Sequence, residues 1–121
     1  MRLKFFTLFL FFVSGVQAQK IKSDETKNFI GKNVTVCDKV FGVYQYLEGK
    51  GQPTFINLGA KHPQSKFIGL VWDIDREKFP YQLEILENKN VCITGVVKLA
   101  KLKRSKPEII ITSPSQIQIQ K

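Results

Sequence analysis

The chain is poor in the residues from which most catalytic and metal sites are built. It has one histidine, His62, and two cysteines, Cys37 and Cys92. One imidazole excludes every scheme that needs a pair, and two thiols with one imidazole cannot close a zinc site without carboxylate help. Acids are scarce as well: 10 Asp+Glu stand against 19 Lys+Arg, a formal charge of +9. Long apolar runs are missing. The stretch from Phe5 to Val13, broken by Thr7, falls short of the ~17–25 residues of a membrane-spanning helix. No repeat or internal boundary divides the 121 residues, a length that allows one domain.

What is present begins with an export signature. Arg2 and Lys4 precede the apolar stretch, and Val16-Gln17-Ala18 fits the small-x-small rule for signal peptidase. Residues 1–18 are therefore expected to be a signal peptide, cut between Ala18 and Gln19; an uncleaved anchor is the alternative. No cysteine sits just after the cut, which argues against a lipoprotein. Removing 18 of 121 residues leaves 103, and losing Arg2 and Lys4 lowers the charge from +9 to +7. Five of the ten phenylalanines leave too. The expected location is periplasmic or secreted, with no stable membrane insertion of the mature chain.

Residues 19–29 are polar and lack periodicity, so they are expected to form a flexible lead-in or a short frayed helix. From Lys32 to about Leu47 the pattern is that of a long strand, and Gly42 inside it predicts a bulge or sharp bend. Residues 48–53, rich in glycine and ending in proline, predict a turn. Residues 54–58 predict a second strand and 66–74 a third, joined by a polar connection that carries His62-Pro63. Residues 75–86 are the one expected helix: Asp75 can cap it, and Phe79, Leu83 and Leu86 share a face. Pro80 confines regular helix to the part after it or splits off a first turn. Residues 88–98 predict a fourth strand with a bend at Gly95, and 107–112 a fifth. The tail from Ser113 is polar, with Ile117 and Ile119 able to extend a β edge.

Three strands, a helix and two strands is the order of an OB-fold, a mainly β, five-stranded Greek-key barrel with one helix between strands three and four. The residues carry a resemblance as well. Gly31-Lys32-Asn33-Val34-Thr35-Val36-Cys37, Gly51-Gln52-Pro53-Thr54-Phe55-Ile56-Asn57-Leu58-Gly59, Val71-Trp72-Asp73, Asn90-Val91-Cys92-Ile93-Thr94-Gly95, Lys106-Pro107-Glu108-Ile109-Ile110-Ile111 and Ser113-Pro114-Ser115-Gln116-Ile117 follow in order. Together they resemble the small bacterial OB-fold proteins of the nucleic-acid-binding, tRNA-anticodon-binding type. The resemblance spans roughly residues 30–118, with residues 119–121 left as a tail. Such relatives usually read Cys-Gly-Lys-Val in the first strand; here Asp38 stands in place of the glycine. The fold implied by the order places Cys37 and Cys92 on neighbouring strands one and four, where an oxidising compartment favours a bridge. Two separate thiols are the alternative.

The implied ligand is single-stranded nucleic acid or another polyanion. Lys98, Lys101, Lys103, Arg104 and Lys106 fall on the connection between strands four and five, Lys50 on the turn between one and two, and Lys61 and Lys66 beside strand three. Loops four-five and one-two border the ligand groove of this fold, and cations there neutralise phosphates. A solvated hairpin tip is the plain alternative. Stacking platforms would come from Phe55, Trp72, Tyr44 and Tyr46, for each of which a place in the core is the alternative. If Ile56 and Leu58 face the core, Phe55 faces outward; Tyr44 and Tyr46 share a parity, so they face the same way. Asp73 and Asp75, with Glu77 nearby, are the sole hint of a metal-dependent hydrolase. No base or arginine cluster completes that site, and His62 reads as a surface residue or a groove contact and not as a catalyst. The expectation is a monomeric, non-catalytic binding protein with no metal and no cofactor. The competing reading is an envelope interaction protein that meets an anionic glycan, a lipid headgroup or an acidic protein partner.

Overall fold

The computed structural model describes residues 18–100 and 106–121. Most of the expected signal peptide, and Lys101, Lys103 and Arg104 of the basic connection, lie outside the described residues. Eight strands follow in chain order: β1 (Gln19–Ile21), β2 (Asn33–Gln45), β3 (Thr54–Leu58), β4 (Phe67–Val71), β5 (Asn90–Val96), β6 (Lys98–Leu99), β7 (Pro107–Ile110) and β8 (Ile117–Ile119). A one-turn helix, α1 (Asp73–Arg76), and a 3-10 helix, Leu83–Leu86, separate β4 from β5. Further 3-10 turns occupy Ser23–Phe29 and Pro114–Gln116.

The long strand β2 serves two partners. Asn33 to Lys39 pairs with β5, and Val40 to Gln45 pairs with β3. The change of partner coincides with a register shift between Val40 and Gly42, the bulge expected at that glycine. The sheet order is β6-β7-β4-β3-β2-β5-β8, with β1 parallel to β2. Only Val97, fully buried, lies between β5 and β6. Because β5 pairs with β2 while β6 pairs with β7, this broken strand closes the ring. Gly95 is not the bend expected of it. The ladder continues through it, and a Cβ there would sit 2.5 Å from Ile109 Cγ2, so the missing side chain lets β7 approach β5.

Inside the ring, Val34, Val36, Val40, Ile56, Leu58, Phe67, Ile93 and Ile109 form one apolar cluster. Phe79, Leu83 and Leu86, expected to share a buried face, belong to the same cluster. Burying each such side chain contributes roughly 1.5–3 kcal/mol. Cys37 and Cys92 face each other in the β2–β5 ladder with Cα atoms 4.0 Å apart, and the disulfide between them is formed.

Four expectations need correction. The five strands are eight, because strand four is split at Val97 and β1 and β8 are added. The helix expected over residues 75–86 is two short turns. Pro80 lacks an N–H and forces the preceding residue into extended geometry, so only the buried positions survive. Asp75 does not cap: Trp72 occupies the N-cap position, and the Asp75 carboxylate pairs with Lys78 Nζ at 2.7 Å. Residues 19–29, expected as a flexible lead-in or a short frayed helix, form β1 and the 3-10 helix Ser23–Phe29 and are built into the barrel. Ile21 is buried opposite Val36, and the Ser23 N–H donates to the Asp38 carboxylate at 3.2 Å. The aspartate that replaces the resemblance's glycine thus anchors this segment. The β edge that Ile117 and Ile119 were expected to extend is formed: both belong to β8, with Ile119 paired with Val91.

Candidate functional site

The register sorts the side chains of the β2–β3–β4–β7 sheet. Val43, Ile56 and Ile109 point to the core, so the alternate residues point out. One outward row runs Tyr44, Phe55, Leu70, Ile110, and the next runs Asn57, Ile68, Glu108, Lys98. Tyr44 is 59% exposed and Tyr46 43%, which settles their shared direction as outward, with ring centroids 6.4 Å apart. Phe55 is half-buried on this face, as the buried Ile56 and Leu58 require.

Trp72 follows β4 on the parity of Leu70. Its six-membered ring lies against Gly51, whose φ is +74°; a Cβ at Gly51 would sit 2.8 Å from Trp72 Cε3. A non-glycine residue would meet both the left-handed strain and the indole. Gly51, Gln52, Trp72, Asp73 and Ile74 line an open cleft of about 480 Å³. Asp73 Oδ1 accepts a hydrogen bond from Gln45 Nε2 at 3.0 Å. The four expected aromatic platforms therefore share one face, and Trp72 stands at its end near the 46–53 turn.

The cations gather mostly at the other end. Lys61 and Lys66 are exposed on the connection from β3 to β4, and Lys98 is exposed opposite Glu108. Lys50 alone sits at the aromatic end, beside Gly51. Lys106, expected as a groove cation, also has a structural role. Its Nζ donates to the Pro63 carbonyl at 2.7 Å and to Ser65 Oγ at 3.2 Å, and Ser65 Oγ donates to the buried Asn57 Oδ1 at 2.9 Å. That chain ties the β3–β4 connection down onto β3 and the start of β7.

Sequence reasoning missed Glu108. It is half-buried on the outward face, and among the described residues no hydrogen bond or salt bridge engages its carboxylate. Burial pushes its pKa above the ordinary glutamate value, and the Lys98 ammonium partly opposes the shift. The signal was available: one acid opens an otherwise apolar strand directly after a run of cations.

Asp73 and Asp75 do not form the paired site that strand geometry would give. Both lie in the first turn of α1, where residues two apart face away from each other, and each has its own partner. No group of three or more His, Cys, Asp or Glu side chains that could hold a metal occurs among the described residues. Among them, too, no helix is long and apolar enough to cross a membrane.

No protein-family model and no curated protein sequence matches the chain. Solved structures do. The chain is similar to yeast Stn1 and Ten1 with a TM-score of 0.58 at 12% identity, over 87% of this chain and 64% of that one. It is similar to the aspartyl-tRNA synthetase from Entamoeba histolytica with a TM-score of 0.57 at 24% identity, over 84% of this chain and 21% of the synthetase. An OBody bound to hen egg-white lysozyme matches with a TM-score of 0.57 at 19% identity, over 88% of this chain and 98% of the OBody. The chain thus spans less than two thirds of the first protein and about a fifth of the second. At these identities the likeness is one of fold, and the fold is the OB-fold.

Proposed function

We propose that the protein is an exported, non-catalytic OB-fold module that binds single-stranded nucleic acid across the outward face of β3, β4 and β7. The observation that carries this reading is the placement of Tyr44, Tyr46, Phe55 and Trp72 on one face, with Lys61, Lys66 and Lys98 toward its other end. Bases stack on such rings without regard to sequence, and cations track the backbone. An aspartyl-tRNA synthetase, whose name gives tRNA as its substrate, shares the fold. The Cys37–Cys92 disulfide fits an oxidising compartment, in agreement with the signal-like residues 1–18.

A second reading has its own support. Leu47 and Ile74 are 62% and 76% exposed beside the aromatic end, and an OBody of this fold is bound to a protein, lysozyme. A protein partner on the same face is the competing function. Filter binding of the mature chain to single-stranded oligonucleotides at several salt concentrations separates the two. Neutralising about five phosphates on a single strand predicts a log–log slope near −3.5. Indifference to oligonucleotide at low salt removes the nucleic-acid reading and leaves the protein partner.

A further inference from the structure

The outward face is electrically lopsided. Lys61, Lys66 and Lys98 stand toward the connection from β3 to β4. At the opposite end, the cleft beside Trp72 is lined by the Asp73 carboxylate. Among the described residues Asp73 has no ion pair; its hydrogen-bond partner is the neutral amide of Gln45. Glu48 is exposed in the turn that leads to Gly51, and Glu77 is exposed at the end of α1. The nearby Arg76 and Lys78 are committed to Glu84 at 2.6 Å and Asp75 at 2.7 Å. Lys50 is the one exposed cation in the turn. A phosphodiester entering this cleft would meet Asp73 in surroundings where Glu48 and Glu77 outnumber Lys50, which like-charge repulsion disfavours.

The cleft nevertheless has the parts for a nucleoside. The indole of Trp72 offers a stacking surface, the exposed Ile74 an apolar wall, and Asp73 an acceptor for hydroxyl donors. A carboxylate has about four lone-pair sites, so the bond from Gln45 leaves acceptor capacity. The group that satisfies all of these is a nucleoside with no phosphate beyond it. The 3′-terminal ribose of a strand offers adjacent 2′ and 3′ hydroxyls, two donors that one carboxylate can accept, whereas at the 5′ end the 3′ oxygen is esterified.

We infer that the cleft formed by Gly51, Gln52, Trp72, Asp73 and Ile74 receives the hydroxyl-terminated 3′ nucleoside of a bound strand, its base on Trp72 and its sugar hydroxyls donating to Asp73. The inference rests on the nucleic-acid reading above and adds a direction to it. The chain's preceding phosphates then run toward the cationic end, and the protein is an end-binder and not a coat along the strand.

Isothermal titration calorimetry with three ribo-oligonucleotides of one sequence tests it: a 3′-hydroxyl form, a 3′-phosphate form and a covalently closed circle. The hydroxyl form is expected to bind about tenfold more tightly than the other two, the order expected when a like charge is placed beside a carboxylate. Asp73→Asn keeps the side-chain shape and a hydrogen-bonding carbonyl while removing the charge. It is expected to narrow the gap between the hydroxyl and phosphate forms. Equal binding of all three forms by the native chain overturns the inference and leaves the nucleic-acid reading standing, as does a gap unchanged by Asp73→Asn. Absence of binding by every form overturns both.

Discussion

Phe55 and Trp72 are the residues at which packing and binding can be told apart. Each is half-buried, and each sits on the outward side of a strand or its continuation, while the neighbouring Ile56 and Val71 are fully buried. Phe55→Ala and Trp72→Ala are each expected to weaken single-strand binding by about 1–3 kcal/mol per stacked base. Chemical denaturation should show the fold intact in both. Ile56→Ala is the contrast, with an expected loss of ~2–5 kcal/mol of stability from the cavity it leaves. Glu108 makes a prediction in pH. Burial raises its folded pKa, so the folded state holds the proton more tightly than the unfolded one. Its contribution is therefore fully present below the ordinary carboxyl range and is lost as pH rises through the raised value. Glu108→Gln cannot titrate. Thermal melts across that window should find the variant gaining on the native protein as pH climbs toward neutral.

The β2–β5 ladder is the element with the most to lose. Its disulfide closes a loop with a sequence separation of 55, and chain-entropy arithmetic assigns such a cross-link about 4 kcal/mol. Denaturation of the Cys37→Ser, Cys92→Ser double variant, or of the native chain under reductant, should lose stability of that order. Both cysteines lie opposite each other because β2 pairs with β5 over seven residues, a pairing the element order already implied. The legibility of the other elements varied with the same kind of cause. β3 was readable to the residue, since Thr54 to Leu58 alternates between turn signals on both sides. The segment after β4 was readable in its buried positions and not in its shape. Phe79, Leu83 and Leu86 keep helical spacing, yet Pro80 prevents one helix from carrying all three. β1 has three residues, too few for a period, and its place is set by parallel pairing with Val34 to Val36 of β2. In the site, parity tied Tyr44 to Tyr46 but gave neither a direction until the register of β2 with β3 was known. Trp72 lay in a run apolar on both parities, and its setting against Gly51 is a tertiary contact that no local pattern reports.

At the scale of the molecule, a formal charge of +9 resolves into an uneven distribution. Exposed cations on the described part of the proposed face are concentrated toward the β3–β4 connection, and unpaired acids flank the cleft by α1. If Lys61, Lys66 and Lys98 each neutralise a phosphate, replacing all three by glutamine should flatten the log–log salt dependence by about 2. Filter binding over the same salt series measures it, and an unchanged slope would show that these lysines solubilise the chain and do not hold a backbone. The accessory strands bear on the same geometry. β1 and β8 attach to β2 and β5, so neither pairs with β3, β4 or β7, which carry the proposed face.

The position of Trp72 has one more consequence, and it concerns measurement. The chain contains one tryptophan, and the fold has put it at the mouth of the cleft. Indole emission excited apart from tyrosine therefore arises from a single known place. A base stacked on that ring quenches it, a strand held elsewhere on the face leaves it alone, and unfolding shifts its colour as water reaches the ring. The protein carries its own optical reporter, and occupancy of the cleft can be followed in the unlabelled native chain.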